Sequence, residues 1–134
     1  MMSNQVILNW DPVDFFTVRD ASGHRINVNM GRGFGSSDLL SAALIGCSAY
    51  DVVEILRKQR QELKQLQVRA EAVQDETPPW RFRKIHIHYQ VVGRGLDPKK
   101  VRRAVQLSEE KYCSVYATLR DVIEITHDIE VIDE

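Results

Sequence analysis

Cysteine is scarce in this chain, with only Cys47 and Cys113 among 134 residues. No two cysteines sit at metal-ligand spacing, so neither a metal nor any other cofactor is expected. A purely structural disulfide between these two distant thiols is not expected in a reducing cytosol. In a reducing compartment they are either inert core thiols or partners in redox chemistry. An excess of one charge is also missing: 18 Lys+Arg face 19 Asp+Glu, for a net charge of −1. That balance argues against a dedicated nucleic-acid binder, whose footprint is strongly basic. Long apolar runs are absent, since Asp38, Asp51 and Glu54 interrupt the longest stretches before the ~20 residues of a membrane span. The opening Met1–Trp10 lacks the basic and apolar regions of a signal peptide, so no membrane and a cytoplasmic address are expected. Glycine and proline cluster once each, at Gly31-Arg32-Gly33-Phe34-Gly35 and Pro78-Pro79, and neither cluster forms a linker. Residues 1–134 therefore read as one domain.

Hydrophobic periodicity divides the chain. Val6, Leu8 and Trp10 alternate, Phe16 and Val18 follow, and Ile26, Val28 and Met30 repeat the parity of a strand. Asp20-Ala21-Ser22-Gly23 is turn chemistry, which predicts a hairpin between Phe15–Arg19 and Arg25–Met30. After the glycine cluster the period becomes helical. Ser36 and Ser37 are N-cap residue types, Asp38 suits the positive end of a helix dipole, and the basic run Arg57-Lys58-Gln59-Arg60 closes the segment. Its first half, Leu39 to Cys47, has almost no polar face, so protein should wrap it on most sides, and a dimer is the expectation.

Alternation then returns. Leu66, Val68, Ala70 and Ala72 share one face, and Ile85, Ile87, Tyr89 and Val91 another. Asp97-Pro98 opens a second helix with an apolar stripe of Val101, Ala104, Val105 and Tyr112, and Ser114 can start a short turn through Leu119. Ile123, Ile125, His127, Ile129 and Val131 share a face of a last strand. The order β-β-β-α-β-β-α-β is that of an α+β domain.

Chemistry centres on the thiols. Cys47 lies several turns into its helix, where the dipole offers little, so a reactive thiolate would need a cation from elsewhere; Arg32 is one candidate. Cys113 lies where a helix ends, after Glu109-Glu110-Lys111-Tyr112. If the two meet, one can be oxidised to a sulfenic acid and the other can condense with it.

Two segments resemble a known family. Ser36-Ser37-Asp38-Leu39-Leu40-Ser41-Ala42-Ala43-Leu44-Ile45-Gly46-Cys47-Ser48-Ala49-Tyr50-Asp51-Val52-Val53 is similar to the hallmark helix of the OsmC/Ohr superfamily of osmotically inducible and organic hydroperoxide resistance proteins. Ser108-Glu109-Glu110-Lys111-Tyr112-Cys113-Ser114-Val115 resembles its second signature. The resemblance implies an intertwined homodimer in which two central helices are sandwiched by antiparallel sheets. It also implies a thiol peroxidase, with Cys47 as the peroxidatic and Cys113 as the resolving cysteine, organic hydroperoxides as substrates and an external dithiol as reductant. The family glutamate that helps an arginine activate the thiolate falls on Ser37 here, with Asp38 beside it. Asp38 and Arg32 are therefore the candidate activators, and the chain looks closer to an OsmC-like branch. The alternative is a non-catalytic dimer that binds a small hydrophobic ligand at the subunit interface.

The other motifs carry blander readings. His86-Ile87-His88 puts two imidazoles on one strand face, where a polar sheet surface is expected. His127 on an apolar face is expected to be hydrogen-bonded in the core. The runs Arg81-Phe82-Arg83-Lys84 and Lys99-Lys100-Val101-Arg102-Arg103 read as solvated faces. The glycine cluster lacks the spacing and the βαβ setting of a dinucleotide site. Tyr50 and Asp51 are ordinary helix chemistry unless they line a pocket.

Overall fold

The computed structural model describes residues 1–29 and 31–134, so the end of the expected strand at Met30 lies outside the described residues. The chain forms two compact units, Met1–Leu40 and Ser41–Glu134.

The first unit is an antiparallel meander of β1 (Val6–Asp11), β2 (Phe15–Asp20) and β3 (Arg25–Val28). Both turns are held by aspartates. The Asp11 carboxylate accepts from the backbone N–H of Val13 and Asp14 at 2.8 and 2.7 Å. Asp20 accepts from those of Ser22 and His24 at 2.9 and 3.0 Å, and Gly23 supplies the positive φ of +90° that closes the hairpin. The register places Leu8 opposite Val18 and Val18 opposite Ile26, so the alternation in the sequence becomes one apolar sheet face.

α1 (Ser36–Lys58) begins in this unit and continues through the second. Its buried residues, Leu44, Ser48, Val52 and Leu56, recur every fourth position and make one stripe. By length and composition alone α1 is apolar enough to cross a membrane, contrary to the expectation that no such run exists. The interrupting Asp51 and Glu54 lie near its end, which leaves a long apolar first half.

In the second unit β4 (Glu62–Gln74) and β5 (Phe82–Arg94) pair antiparallel, and β6 (Glu124–Asp133) adds to the other edge of β5. The sheets are not both antiparallel as expected, because β6 runs parallel to β5. A helical crossover separates these strands and carries the chain back to the opposite end of the sheet, where a parallel strand must start. β5 is the central strand, and its Ile85, Ile87, Tyr89 and Val91 are buried, as the alternation predicts. On the opposite face His86 and His88 meet Thr126, Asp128 and Glu130 of β6. This is the polar sheet surface expected of that pair.

The crossover consists of α2 (Pro98–Leu107), a π-helical segment (Ser108–Tyr112) and α3 (Ser114–Leu119). Asp97 caps α2 by accepting from Lys99 N–H at 2.9 Å, with Pro98 in the first turn. Val101, Ala104 and Val105 are fully buried. Tyr112, expected on the same stripe, is instead 53% exposed. The wider π turn rotates the following residues off the 3.6-residue register, and this carries Tyr112 outward.

Candidate active site

The site lies within Ser41–Glu134, where α1 meets the crossover. On α1, Cys47 and Asp51 are one turn apart at i and i+4 and share a face, with Ser48 on the adjoining buried stripe. From the other side the π-helical segment presents Ser108 at its start and Cys113 just past its end. Cys113 N–H bonds to the Ser108 carbonyl at 2.8 Å, which closes the wide turn. Cys113 is also the N-cap of α3, its Sγ accepting from Tyr116 N–H at 3.3 Å.

These elements bring the two cysteines together. The Sγ atoms of Cys47 and Cys113 and a carboxylate oxygen of Asp51 all lie within 4.8 Å of one another. Both cysteines are free thiols, Cys47 half-buried and Cys113 buried. Burial pushes the Cys113 thiol up to about 12, reinforced by its hydrogen bond to Cys47 and opposed by the Tyr116 N–H. Cys113 is therefore held as a protonated thiol.

A hydrogen-bonded chain runs from the core to this cluster. Ser108 Oγ donates to Asp51 Oδ2 at 2.8 Å and lies 3.4 Å from Ser48 Oγ, which is hydrogen-bonded to the Tyr89 hydroxyl. Burial pushes the Tyr89 phenol up to about 12, so it stays protonated. The Ser108 hydroxyl donates to Asp51 Oδ2, while in the Ser48–Tyr89 hydrogen bond either hydroxyl can be the donor. Each hydroxyl is thereby satisfied in an environment where an unpaired one would cost about 1–3 kcal/mol. Asp51 forms no ion pair within Ser41–Glu134.

Beyond Tyr89, the His127 ring packs edge-on at 6.1 Å between centroids, and its Nδ1 is 2.9 Å from Glu109 Oε1. The Glu109 hydrogen bond raises the His127 pKa against the opposing effect of burial. His127 thus has its expected hydrogen bond, though it is part-exposed and paired with a carboxylate from the π-helical segment. A cleft of about 430 Å³ adjoins the cluster at Asp51, with Tyr50, Ile55, Leu107 and Tyr112 among its walls.

The remaining candidates belong to the other unit. Arg32 donates to the Val13 carbonyl at 3.3 Å and stands 4.1 Å over the Phe15 ring, and Asp38 occupies the first turn of α1. Sequence alone leaves Asp51 as ordinary helix chemistry and does not single out Ser48, Tyr89, Ser108 or Glu109 as site residues. Two of these carried a legible signal: Ser48 interrupts the stripe of Leu44, Val52 and Leu56, and Tyr89 sits at an inward parity of β5.

A family model described as OsmC-like protein matches residues 29–128. The chain belongs to the OsmC-like family. Protein YhfA of Escherichia coli K12 is 38% identical over 131 residues, spanning 96% of this chain and 98% of that protein. The crystal structure of a hypothetical protein from Aquifex aeolicus VF5 superposes with a TM-score of 0.90 at 30% identity, covering 100% of this chain and 99% of that one. An organic hydroperoxide resistance protein OsmC from Legionella pneumophila superposes with a TM-score of 0.71 at 15% identity over 98% of each chain, a likeness of fold. The mixed α+β architecture with two sheets is that of the OsmC-like family.

Proposed function

We propose that this chain is a thiol-dependent peroxidase that reduces organic hydroperoxides through a Cys47 sulfenate and a Cys47–Cys113 disulfide. The observation that carries the reading is the approach of the two sulfurs, with a carboxylate, to within 4.8 Å. Sixty-six positions of sequence separate these thiols, and a chain with no use for their meeting has no reason to bring them so close.

The reaction balances as two displacements. Cys47 sulfur attacks the distal oxygen of ROOH. The O–O bond breaks, Cys47 becomes a sulfenic acid, and the thiol proton ends on the departing alkoxide to give ROH. Cys113 sulfur then attacks the sulfenic sulfur, its proton leaves with the hydroxide as water, and the disulfide forms. Two thiols of an external dithiol restore the reduced state. Each displacement needs a group that takes a proton from a thiol and returns it to a leaving oxygen. Asp51, fixed by Ser108 and within reach of both sulfurs, is proposed for that role. Arg32 is proposed as the cation that favours the Cys47 thiolate, with Asp38, beside the position of the family glutamate, proposed to act by orienting an arginine. The cleft beside Asp51 has the apolar walls that suit an organic R group over hydrogen peroxide.

We also propose a homodimer, supported by the apolar composition of α1 and by the exposure of Leu8, Trp10 and Ile26. The test of catalysis is intact-mass spectrometry after treatment with cumene hydroperoxide. Loss of two hydrogens with a Cys47–Cys113 crosslink is expected, and Cys47→Ser should abolish peroxide consumption. An unchanged mass, or full turnover by Cys47→Ser, overturns the assignment. A non-catalytic dimer that binds a small hydrophobic ligand is the second reading. The cleft favours it, because Tyr50, Ile55, Leu107 and Tyr112 give it apolar walls for such a ligand.

A further inference from the structure

We propose that Cys47, Asp51 and Cys113 also form a three-ligand site for a soft divalent metal ion of the zinc class, occupied only while both thiols are reduced. The donor set is two sulfurs and one carboxylate, which selects zinc-like ions over magnesium or calcium. Two ligands come from successive turns of one helix and the third from a separate element, an arrangement that no close cysteine spacing in the sequence discloses. Tetrahedral zinc, with bonds of about 2.3 Å to sulfur and about 2.0–2.2 Å to oxygen, needs its donors roughly 3.5–3.8 Å apart. The three donor atoms already lie within 4.8 Å of one another. Ligation would bring the donors closer by up to about 1 Å.

Two further features fit a metal. Asp51 is hydrogen-bonded by Ser108 at 2.8 Å, the outer-shell support that orients a ligating carboxylate. Asp51 also has no cationic partner within its unit, so a divalent ion would itself compensate the carboxylate and the thiolates that form as the ion displaces their protons. Three protein ligands leave a fourth position open to water. By contrast, the imidazoles of His86 and His88 are already engaged with Thr126, Asp128 and Glu130.

Metal occupancy and disulfide formation exclude each other, because both use the same sulfurs. Hydroperoxide oxidation of the bound site balances as two thiolates, ROOH and two protons giving the disulfide, ROH, water and the free ion. This redox half rests on the peroxidase reading, whereas the binding half does not.

The test titrates the full-length reduced protein with Zn²⁺ against a chromophoric chelator, and separately with Co²⁺, in the absence of oxygen. One ion per chain, release of two protons per ion and a thiolate-to-cobalt charge-transfer band are expected. Cys47→Ser and Cys113→Ser should each weaken binding by more than about 100-fold, and Ser108→Ala by about 10-fold. The paired variant His86→Gln, His88→Gln should bind as the parent does, and the disulfide form should not bind at all. Absence of the charge-transfer band in the unmutated protein overturns the site, independently of how any variant folds. Binding that survives in both cysteine variants, or that is lost with the histidines, overturns it as well. Peroxide consumption by chelator-treated, metal-free protein reports separately on catalysis, so either proposal can fail alone.

Discussion

At the scale of single residues, the chemistry turns on where protons can go. Among the described residues Asp51 is the carboxylate grouped with both sulfurs, and Ser108 donates a hydrogen bond to it. Replacing it with asparagine keeps the shape and the hydrogen-bond acceptor but removes the base. Asp51→Asn should therefore slow single-turnover oxidation of Cys47 by cumene hydroperoxide by about 10²-fold, with little change in the thermal midpoint. An unchanged rate would remove Asp51 from the reaction. Ser108→Ala should give a smaller loss of the same kind. The cysteines were legible in the sequence because the residues around them form recognisable motifs. Asp51 was not singled out, since an acidic residue on a helix is ordinarily solvated. Only the fold shows that Ser108 donates to it and that Cys113 faces it.

At the scale of elements, the π-helical segment does most to assemble the site. One wide turn lets Ser108 reach Asp51, Glu109 reach His127 and Cys113 reach Cys47. Sequence patterns could not show it, because hydrophobic periodicity assumes 3.6 residues per turn and the segment departs from that period. Strands with strict alternation, such as β5, and a helix opened by Asp97-Pro98 were legible because local chemistry and burial agree there.

The Glu109–His127 pair ties the segment to β6 and makes the link pH-dependent. The His127 pKa is raised, so its stabilising effect is present in full below the unfolded value near 6.5 and is lost as pH rises through the folded value. Glu109→Gln should consequently lower the urea midpoint more at about pH 6 than at about pH 9. Equal losses at both would show that the histidine is neutral throughout.

Strand pairing carries its own test at Gly93, where a Cβ would come within 2.2 Å of the Glu62 carbonyl oxygen. That oxygen belongs to the β4 backbone and cannot swing aside. Gly93→Ala should cost about 1–3 kcal/mol of stability in urea unfolding, and a neutral result would mean that β4 and β5 separate more easily than their register implies.

At the scale of the whole molecule, the distribution of apolar surface decides the assembly. Leu8, Trp10 and Ile26 are 52%, 56% and 42% exposed, yet the β1–β3 register gathers them on the sheet face they share with Val18. A contiguous apolar sheet face left open to water is a site of association, and scattered single hydrophobic residues are not. A second copy of the chain can cover that face, burying apolar area on both partners. Light scattering at micromolar concentration should therefore give twice the chain mass. Trp10→Glu, which puts a charge on the sheet face without touching the thiols or Asp51, should shift the species toward the monomer and leave the helical circular dichroism in place. A monomeric parent protein would refute the dimer outright. A Trp10→Glu variant that stays dimeric would move the contact surface away from β1–β3, leaving the apolar flank of α1 to hold the two copies together.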